Sequence, residues 1–248
     1  MCGRYTLIAN AEAIRILFEL PEFDQRLVVP RYNIAPTQPI VVVREGPKGR
    51  ELVPVRWGLI PWWAKDPKTL PLMINARAEG IAEKPAFRDA FKYRRCLVPA
   101  SGFYEWQKRG KGTKQPYLAR PNGSDAPIAF AGLFETWHGP DGSEIDTATI
   151  VVTDANAPLM PIHERMPVIV EPKNFETWLS PETTPAEAAA LLKPAPDDLL
   201  TLAPVSARVN SADNDDPTLI EEATVDPGEA PKGASPKRVS DPRQRSLF

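Results

Sequence analysis

The sequence contains only two cysteines and two histidines in 248 residues. Two cysteines cannot form the disulfide framework of a small secreted protein, so we expect a reducing, cytoplasmic location. Two histidines and two distant cysteines match no metal-site spacing, and we expect no metal. Glycine is also scarce, at 14 residues. Neither a Walker motif nor a dinucleotide-binding glycine motif occurs, so no cofactor is predicted.

Long apolar runs are missing as well. No stretch approaches 18 apolar residues, and the sequence therefore predicts no transmembrane helix. The first residues, Met-Cys-Gly-Arg-Tyr-Thr, do not combine a basic region with a following apolar run, so we expect no secretory signal.

Proline, by contrast, is abundant, at 29 residues. This much proline breaks long helices and excludes a helical bundle or a coiled coil. Short β-branched and aromatic runs between turn residues predict an α+β fold, built on an antiparallel, barrel-like sheet with short flanking helices. We predict one domain over residues 2–222. Residues 223–248 have almost no large apolar side chains and are predicted to be a disordered C-terminal tail.

Individual elements follow from periodicity and turn signals. Asn10 is a predicted N-cap for a helix that runs to about Leu20. Gly46–Gly49 predicts the turn of a hairpin between strands at 39–44 and 52–57, whereas 21–37 and 58–78 are predicted loops. Further helices are predicted at 85–91, 174–179 and 185–192, and further strands at 2–8, 96–98, 103–107, 117–119, 128–137, 147–152, 168–170 and 202–209.

The charge is divided unequally along the chain. Residues 1–120 contain 21 Lys and Arg against 11 Asp and Glu, whereas residues 121–248 contain 9 against 21. A basic half indicates a polyanionic partner, most often nucleic acid. Charge alone equally allows the two halves to neutralise each other within one fold.

Cys2 directly follows the initiator methionine. If Met1 is removed, Cys2 becomes a 1,2-aminothiol, whose amine and thiol have pKa values of roughly 8 and 8.5 and are both partly nucleophilic at neutral pH. Such a residue condenses with an aldehyde to an imine that the thiol closes to a thiazolidine, and it attacks an amide or ester through the thiol alone.

Three polar residues are candidates to assist Cys2. Glu105 lies within the aromatic strand Phe103–Trp106, where burial would raise its pKa and make it a usable acid or base, although an alternating strand would also allow it to face solvent. His163 lies in a turn-rich segment before an apolar strand, a position suited to proton transfer. Asn75 is the third candidate, although the segment around it is by itself only weak evidence for a functional site.

Candidate nucleic-acid contacts occur in the basic half. Trp62 and Trp63 are adjacent in a proline-rich loop and could stack on bases, unless one of them fills the core. Arg4, Arg77 and Arg165 flank the candidate chemical residues and are candidate phosphate contacts.

Taken in order, several segments resemble one known family, the SRAP family of SOS-response-associated peptidases or abasic-site-processing proteins. The matching segments cover about residues 2–220 and are Met1–Tyr5, Tyr32–Pro36, Arg56–Pro61, Ile74–Glu79, Arg95–Trp106, Phe130–Phe134, His163–Pro167 and Val205–Asn210. The resemblance implies a single SRAP domain with a positively charged DNA groove. It also implies that the protein binds abasic single-stranded DNA or single-strand/duplex junctions and forms a covalent thiazolidine link through Cys2.

The resemblance also implies a role for each candidate residue. Cys2 would be the covalent nucleophile, Asn75 would orient its amine or the sugar, Glu105 would be the acid/base, and His163 would assist proton transfer, including the reverse reaction. Arg4 and Arg77 would contact phosphates beside the lesion, with Arg165 as a further candidate. Trp62 and Trp63 would be a wedge that stacks on flanking bases. We expect a monomer that associates with the nucleoid when bound to DNA, with weak strand scission (lyase activity) as a side reaction.

Three alternatives stay open at this stage. A class II glutamine amidotransferase also begins with Cys after processing, but its Arg-Gly-Pro-Asp and Asn-Gly-Glu segments are absent here. A non-covalent single-strand binder would use the tryptophans and arginines without Cys2. A peptidase, in its simplest form, would remove Met1 autocatalytically.

Overall fold

The structure, a computed structural model, describes residues 2–21 and 23–224. The predicted tail lies outside the described residues from residue 225 onward. In the described part the helices are α1 Ala11–Phe18, α2 Arg88–Tyr93, α3 Phe175–Leu179 and α4 Pro185–Ala189. The strands are β1 Tyr5–Leu7, β2 Arg31–Ile34, β3 Pro39–Gly46, β4 Gly49–Trp57, β5 Asn75–Arg77, β6 Arg95–Ala100, β7 Gly102–Lys108, β8 Lys114–Pro121, β9 Ile128–His138, β10 Glu144–Asp154, β11 Arg165–Pro167, β12 Ile169–Val170 and β13 Leu200–Pro204. None of the helices in this part is long and apolar enough to cross a membrane.

One sheet closes into a barrel. Its strands pair in the order β10–β4–β3–β6–β9, and β9 pairs with β10 again. Closure satisfies the edge hydrogen bonds that an open sheet would leave unpaired. Strands β5 and β11 add to β10, and β12 adds to β9. The predicted barrel-like sheet is confirmed, but it is not purely antiparallel, because β10 runs parallel to β4 and β5.

A second, antiparallel sheet has the strand order β13–β8–β7–β1–β2. It contacts the barrel through aromatic rings. The ring of Tyr5 on β1 makes edge contacts with Trp57 and Phe130 of the barrel, at centroid distances of 5.3 and 6.0 Å. This interface buries β1. The residues that precede β1 lie beside β7, with which β1 pairs.

Local sequence signals agree with several elements. Asn10 caps α1, and its side chain accepts a hydrogen bond from Ala13 N at 2.8 Å. The predicted hairpin is present and longer than expected, with Val43 paired to Leu52. α2 begins at Arg88, three residues later than the predicted start.

Two predicted loops and one predicted strand are wrong in part. Residues 21–37 contain β2 and residues 58–78 contain β5. These strands form because β1 and β10 offer them unpaired backbone groups, which sequence periodicity does not show. The predicted strand at 202–209 ends at Pro204, and Ala207–Asn210 is a short 3-10 helix capped by the Ser206 side chain.

Candidate functional site

The first described residues run along β7. Cys2 is fully buried just before β1. On β1, Tyr5 pairs with Phe103, and Tyr104 N donates to Arg4 O at 2.9 Å. Continuing this antiparallel register places the chain around Cys2 beside Glu105. Two candidates far apart in sequence are thereby brought together.

Glu105 faces the interior, not the solvent. Its exposed fraction is 2%, so the outward-facing alternative is wrong. Burial raises the pKa of the Glu105 carboxyl to about 7. Burial also raises the pKa of the Cys2 thiol, and the nearby Glu105 carboxylate raises it further. At neutral pH Glu105 is therefore suited to give or take a proton, whereas the thiol stays protonated until it reacts.

His163 is the third member of this group. Its Nε2 lies 3.8 Å from Glu105 Oε2. Its Nδ1 lies 3.1 Å from Arg165 N, from which it can accept, and 3.3 Å from Arg165 O, to which it can donate, while Nε2 points toward Glu105. Burial lowers the pKa of His163. A separation of 3.8 Å is too long for a direct hydrogen bond between these two atoms, and an oxygen could bridge them only by contacting both from one side.

The turn that carries His163 is held by a residue that the sequence analysis missed. Gln107 is buried on β7, two residues after Glu105 and therefore on the same face of the strand. Its Nε2 donates to Pro161 O at 3.3 Å. The spacing of Glu105 and Gln107 was the available signal, because two polar residues at i and i+2 in an aromatic strand share one side.

Asn75 lies on β5, which pairs with β10. Its Nδ2 donates to Ile74 O at 3.0 Å, and the same carbonyl accepts a hydrogen bond from Trp57 Nε1 at 3.0 Å. Asn75 Oδ1 is buried and accepts no hydrogen bond from the described residues. An amide oxygen in this condition is a ready acceptor for an amine or hydroxyl.

The three candidate phosphate-binding arginines differ in availability. The side chain of Arg77 is exposed and forms no hydrogen bond or ion pair with another described residue. Arg165 Nη1 donates to Glu79 Oε1 at 2.6 Å and lies 3.3 Å from Asp154 Oδ1. Arg4 is half-buried, and its Nη1 donates to Asn33 Oδ1 and Val209 O, each at 2.8 Å. Arg77 therefore has the guanidinium most accessible to a ligand.

Asn33 is a second residue that the sequence analysis missed. It is fully buried, and besides accepting from Arg4 its Nδ2 donates to Val209 O at 3.3 Å, Ser211 O at 2.9 Å and Asn214 O at 2.7 Å. Asn33 thus joins the N-terminal strand to the segment 209–214. The hydrophobic periodicity of the sequence does not reveal a buried asparagine that bonds to backbone carbonyls. The available signal was that Asn33 lies in Tyr32–Pro36, one of the segments that resemble the SRAP family.

The two adjacent tryptophans, here called the tryptophan turn, are both at the surface. Trp62 is 57% exposed and Trp63 is 42% exposed, so the alternative in which one of them fills the core is wrong. The turn is attached to the barrel, because buried Trp137 Nε1 donates to Ala64 O at 2.7 Å. Trp63 Nε1 also donates to Pro85 O at 3.4 Å. The structure therefore presents two aromatic faces from an anchored loop.

Part of the charge asymmetry is neutralised inside the fold. Among the described residues, three ion pairs join a cation of the basic half to an anion of the acidic half: Arg31–Asp215 at 3.1 Å, Arg50–Glu176 at 3.5 Å and Arg94–Glu135 at 2.7 Å. Other cations, such as Arg77, remain available to a partner. Among the described residues no group of three or more His, Cys, Asp or Glu side chains could hold a metal ion.

Comparisons with known proteins show to which family the chain belongs. The family model of the SOS response associated peptidase (SRAP) matches residues 1–212. The abasic site processing protein YoqW of Bacillus subtilis is 42% identical over 223 residues, which cover 89% of this chain and 99% of YoqW. The abasic site processing protein HMCES of Gallus gallus is 34% identical over 77% of this chain and 66% of its own length. A crystal structure of a Bacteroides thetaiotaomicron protein superposes with a TM-score of 0.79 at 26% identity, over 90% of this chain and 100% of that chain. The chain therefore belongs to the SRAP family.

Proposed function

We propose that this protein recognises abasic sites in single-stranded DNA and forms a covalent thiazolidine link through Cys2 once Met1 has been removed. The observation that carries the proposal is the buried group of Cys2 and Glu105, with His163 Nε2 at 3.8 Å from the carboxylate. The proposal is supported by the relatives YoqW and HMCES, which are named as abasic site processing proteins.

The first chemical step opens the sugar. An abasic site is mostly a closed hemiacetal, so its C1′ hydroxyl must lose a proton while its ring oxygen gains one. Glu105, with a pKa of about 7, is protonated in a large fraction of molecules at neutral pH and supplies the proton to the ring oxygen. The product is an aldehyde within reach of the Cys2 amine.

The second step joins protein and DNA. The Cys2 amine attacks the aldehyde carbon, the carbonyl oxygen leaves as water, and an imine forms. The thiol sulfur then adds to the imine carbon, while its proton passes through the Glu105 carboxylate to the nitrogen. The product is a five-membered thiazolidine, and no oxidant or reductant is consumed. An imine that fails to close promotes strand scission, which accounts for the expected weak lyase activity.

Residues around this group would hold the DNA. Asn75 Oδ1 would accept a hydrogen bond from the Cys2 amine or from a sugar hydroxyl. Arg77 would contact a phosphate beside the lesion, with Arg4 and Arg165 as further contacts. The tryptophan turn would stack on flanking bases and so favour the end of a duplex, as at a single-strand/duplex junction.

The test is denaturing gel electrophoresis of the protein mixed with abasic single-stranded DNA. We expect a heat- and detergent-stable adduct from the wild type and none from Cys2→Ala. Cys96→Ala is the matched control, because Cys96 is also a fully buried thiol but has no α-amine. It should give the wild-type yield.

An undiminished adduct from Cys2→Ala would refute the proposal. Mass spectrometry of the purified protein should show that Met1 is absent. If Cys2→Ala retains Met1 while the wild type has lost it, Cys2 is needed for the removal of Met1. That result would support the peptidase alternative, in which the removal is autocatalytic.

A further inference from the structure

Four charged residues lie together where β5, β10 and β11 meet. Asp154 at the end of β10 pairs with Arg165 at the start of β11, and Arg77 on β5 pairs with Val152 of β10. Glu79 follows β5 by two residues, and its Oε1 accepts a hydrogen bond from Arg165 Nη1 at 2.6 Å. Arg165 Nη1 also lies 3.3 Å from Asp154 Oδ1. Two cations and two anions therefore share this edge, and the carboxylate of Glu164 also acts on Arg165.

Arg165 is the less accessible partner in this cluster. Its side chain is 19% exposed, whereas those of Glu79 and Asp154 are 54% and 67% exposed. Partial burial tends to raise the pKa of the Glu79 carboxyl, but the hydrogen bond from Arg165, a backbone hydrogen bond and the charges of Arg165 and Arg77 together outweigh it and leave that pKa below its usual value. Both carboxylates thus cover a cation that a phosphate would otherwise reach. Ion pairs this exposed contribute little to stability, so an incoming anion can replace one carboxylate.

We propose that Glu79, together with Asp154, is a specificity-determining residue that competes with DNA phosphate for Arg165 and keeps the affinity for intact single strands low. This inference rests on the proposed function. A protein retained at its lesion by a covalent bond does not need strong non-covalent binding. Weak binding to undamaged strands instead allows rapid dissociation and further search, because phosphate contacts carry no information about the lesion.

The experiment measures non-covalent binding in a Cys2→Ala background, with intact single-stranded DNA at several salt concentrations. Glu79→Gln keeps the size of the side chain and removes its charge. We expect affinity at low salt to rise about threefold or more, and the slope of log affinity against log salt to steepen by about 0.7, the value for one additional phosphate contact on a single strand. The matched control is Glu83→Gln, the same charge change at an exposed residue that forms no ion pair with the described residues.

A double-variant cycle shows whether Glu79 acts through Arg165. In an Arg165→Ala background, Glu79→Gln should produce no gain in affinity. Three results would overturn the inference: weaker binding by Glu79→Gln, an equal gain from Glu83→Gln, or a gain that persists without Arg165. The first would make Glu79 a support that presents Arg165 to the DNA, and the others would indicate a general effect of net charge.

A separate measurement distinguishes this inference from the proposed function. With Cys2 intact and abasic DNA saturating, Glu79→Gln should form adduct at the wild-type rate, because Glu79 acts on binding and not on the chemistry. A slower rate at saturation would contradict the inference. Absence of any adduct from the wild type, with the affinity effect of Glu79→Gln present, would refute the proposed function alone.

Discussion

His163 Nε2 and Glu105 Oε2 lie 3.8 Å apart, and burial moves the pKa values of these two groups in opposite directions. The pKa of Glu105 rises to about 7, whereas that of His163 falls below its usual 6.5. The usual order of a carboxylic acid and an imidazole is therefore reversed, and Glu105 holds its proton at a pH at which His163 is already neutral. The pair is then a neutral acid beside a neutral imidazole rather than an ion pair, which suits the proposed opening of the sugar, in which one atom gains a proton and another loses one.

This reversal predicts an unusual pH dependence of stability. The folded protein binds the Glu105 proton more tightly than the unfolded chain does, because its pKa rises from 4.5 to about 7. The contribution of Glu105 to stability is therefore complete below about pH 4.5 and is lost as the pH rises through 7, by about 3 kcal/mol in total. Urea unfolding at pH 5 and pH 8 should show Glu105→Gln gaining stability relative to the wild type at the higher pH. The same pH dependence in both proteins would contradict the buried, ionising carboxyl.

Glu105 and His163 should differ in the step that they control. Glu105→Gln keeps the shape and loses the proton chemistry, so adduct formation should slow by about 10²-fold. His163→Ala should chiefly slow release, because the thiazolidine must be reprotonated before it reopens. Two rate constants are needed for each variant, one from mixing with abasic DNA and one from a challenge with excess competing abasic DNA.

The separation of these roles requires that different steps limit formation and release. If His163→Ala releases DNA as fast as the wild type, the release role is wrong. A structural role in the turn that Gln107 holds then becomes the better interpretation.

The tryptophan turn should contribute affinity without contributing chemistry. Trp62→Ala and Trp63→Ala should each weaken binding to single-stranded DNA by about 1–3 kcal/mol, the cost of one lost base stack. Tyr93→Ala is the control, because Tyr93 is an aromatic residue 54% exposed on α2. Fluorescence titration in the Cys2→Ala background measures the affinities. Equal losses from Tyr93→Ala would show that any exposed aromatic residue has the same effect.

Replacing Arg77 or Arg4 should lower the affinity for DNA by an amount that depends on the salt concentration. Each change to alanine should weaken binding to intact and abasic strands alike and reduce the salt slope by about 0.7 if it removes one phosphate contact. Arg77 should show the full effect, because it is exposed. Arg4→Ala should also lower the urea midpoint, since Arg4 Nη1 donates to Asn33 and Val209. An unchanged slope for both variants would contradict the proposed position of the DNA groove.

Replacing Arg95 should lower the stability of the fold, because Arg95 has a structural role and is not a proposed DNA contact. Its guanidinium is buried and donates to the backbone carbonyls of Phe91, Lys92, Trp178, Ser180 and Thr183. Arg95→Met leaves these acceptors without their donor and should cost roughly 3 kcal/mol or more in urea unfolding. Arg88→Met on α2, where the side chain is 56% exposed, is the control and should change stability little.

Much of the fold follows from local sequence signals. Asn10 was recognisable as a cap because its side chain bonds to the backbone three residues later, and the Pro39–Trp57 hairpin because two β-branched runs flank a Gly-Pro-Lys-Gly turn. Strands β2 and β5 were missed for the opposite reason. Each is short and partly polar, and each exists only because a distant strand pairs with it.

The sequence by itself determined the candidate residues of the proposed site: an aminothiol precursor at Cys2, a carboxylate among aromatics at Glu105, and two adjacent tryptophans in a proline-rich loop. Only the tertiary structure decided how these residues act. The approach of His163 to Glu105 and the hydrogen bond from Arg165 to Glu79 join residues far apart in the chain. Burial, pKa and the availability of a charge all depend on such neighbours and not on sequence spacing, because desolvation and Coulomb interactions are properties of position in the folded molecule.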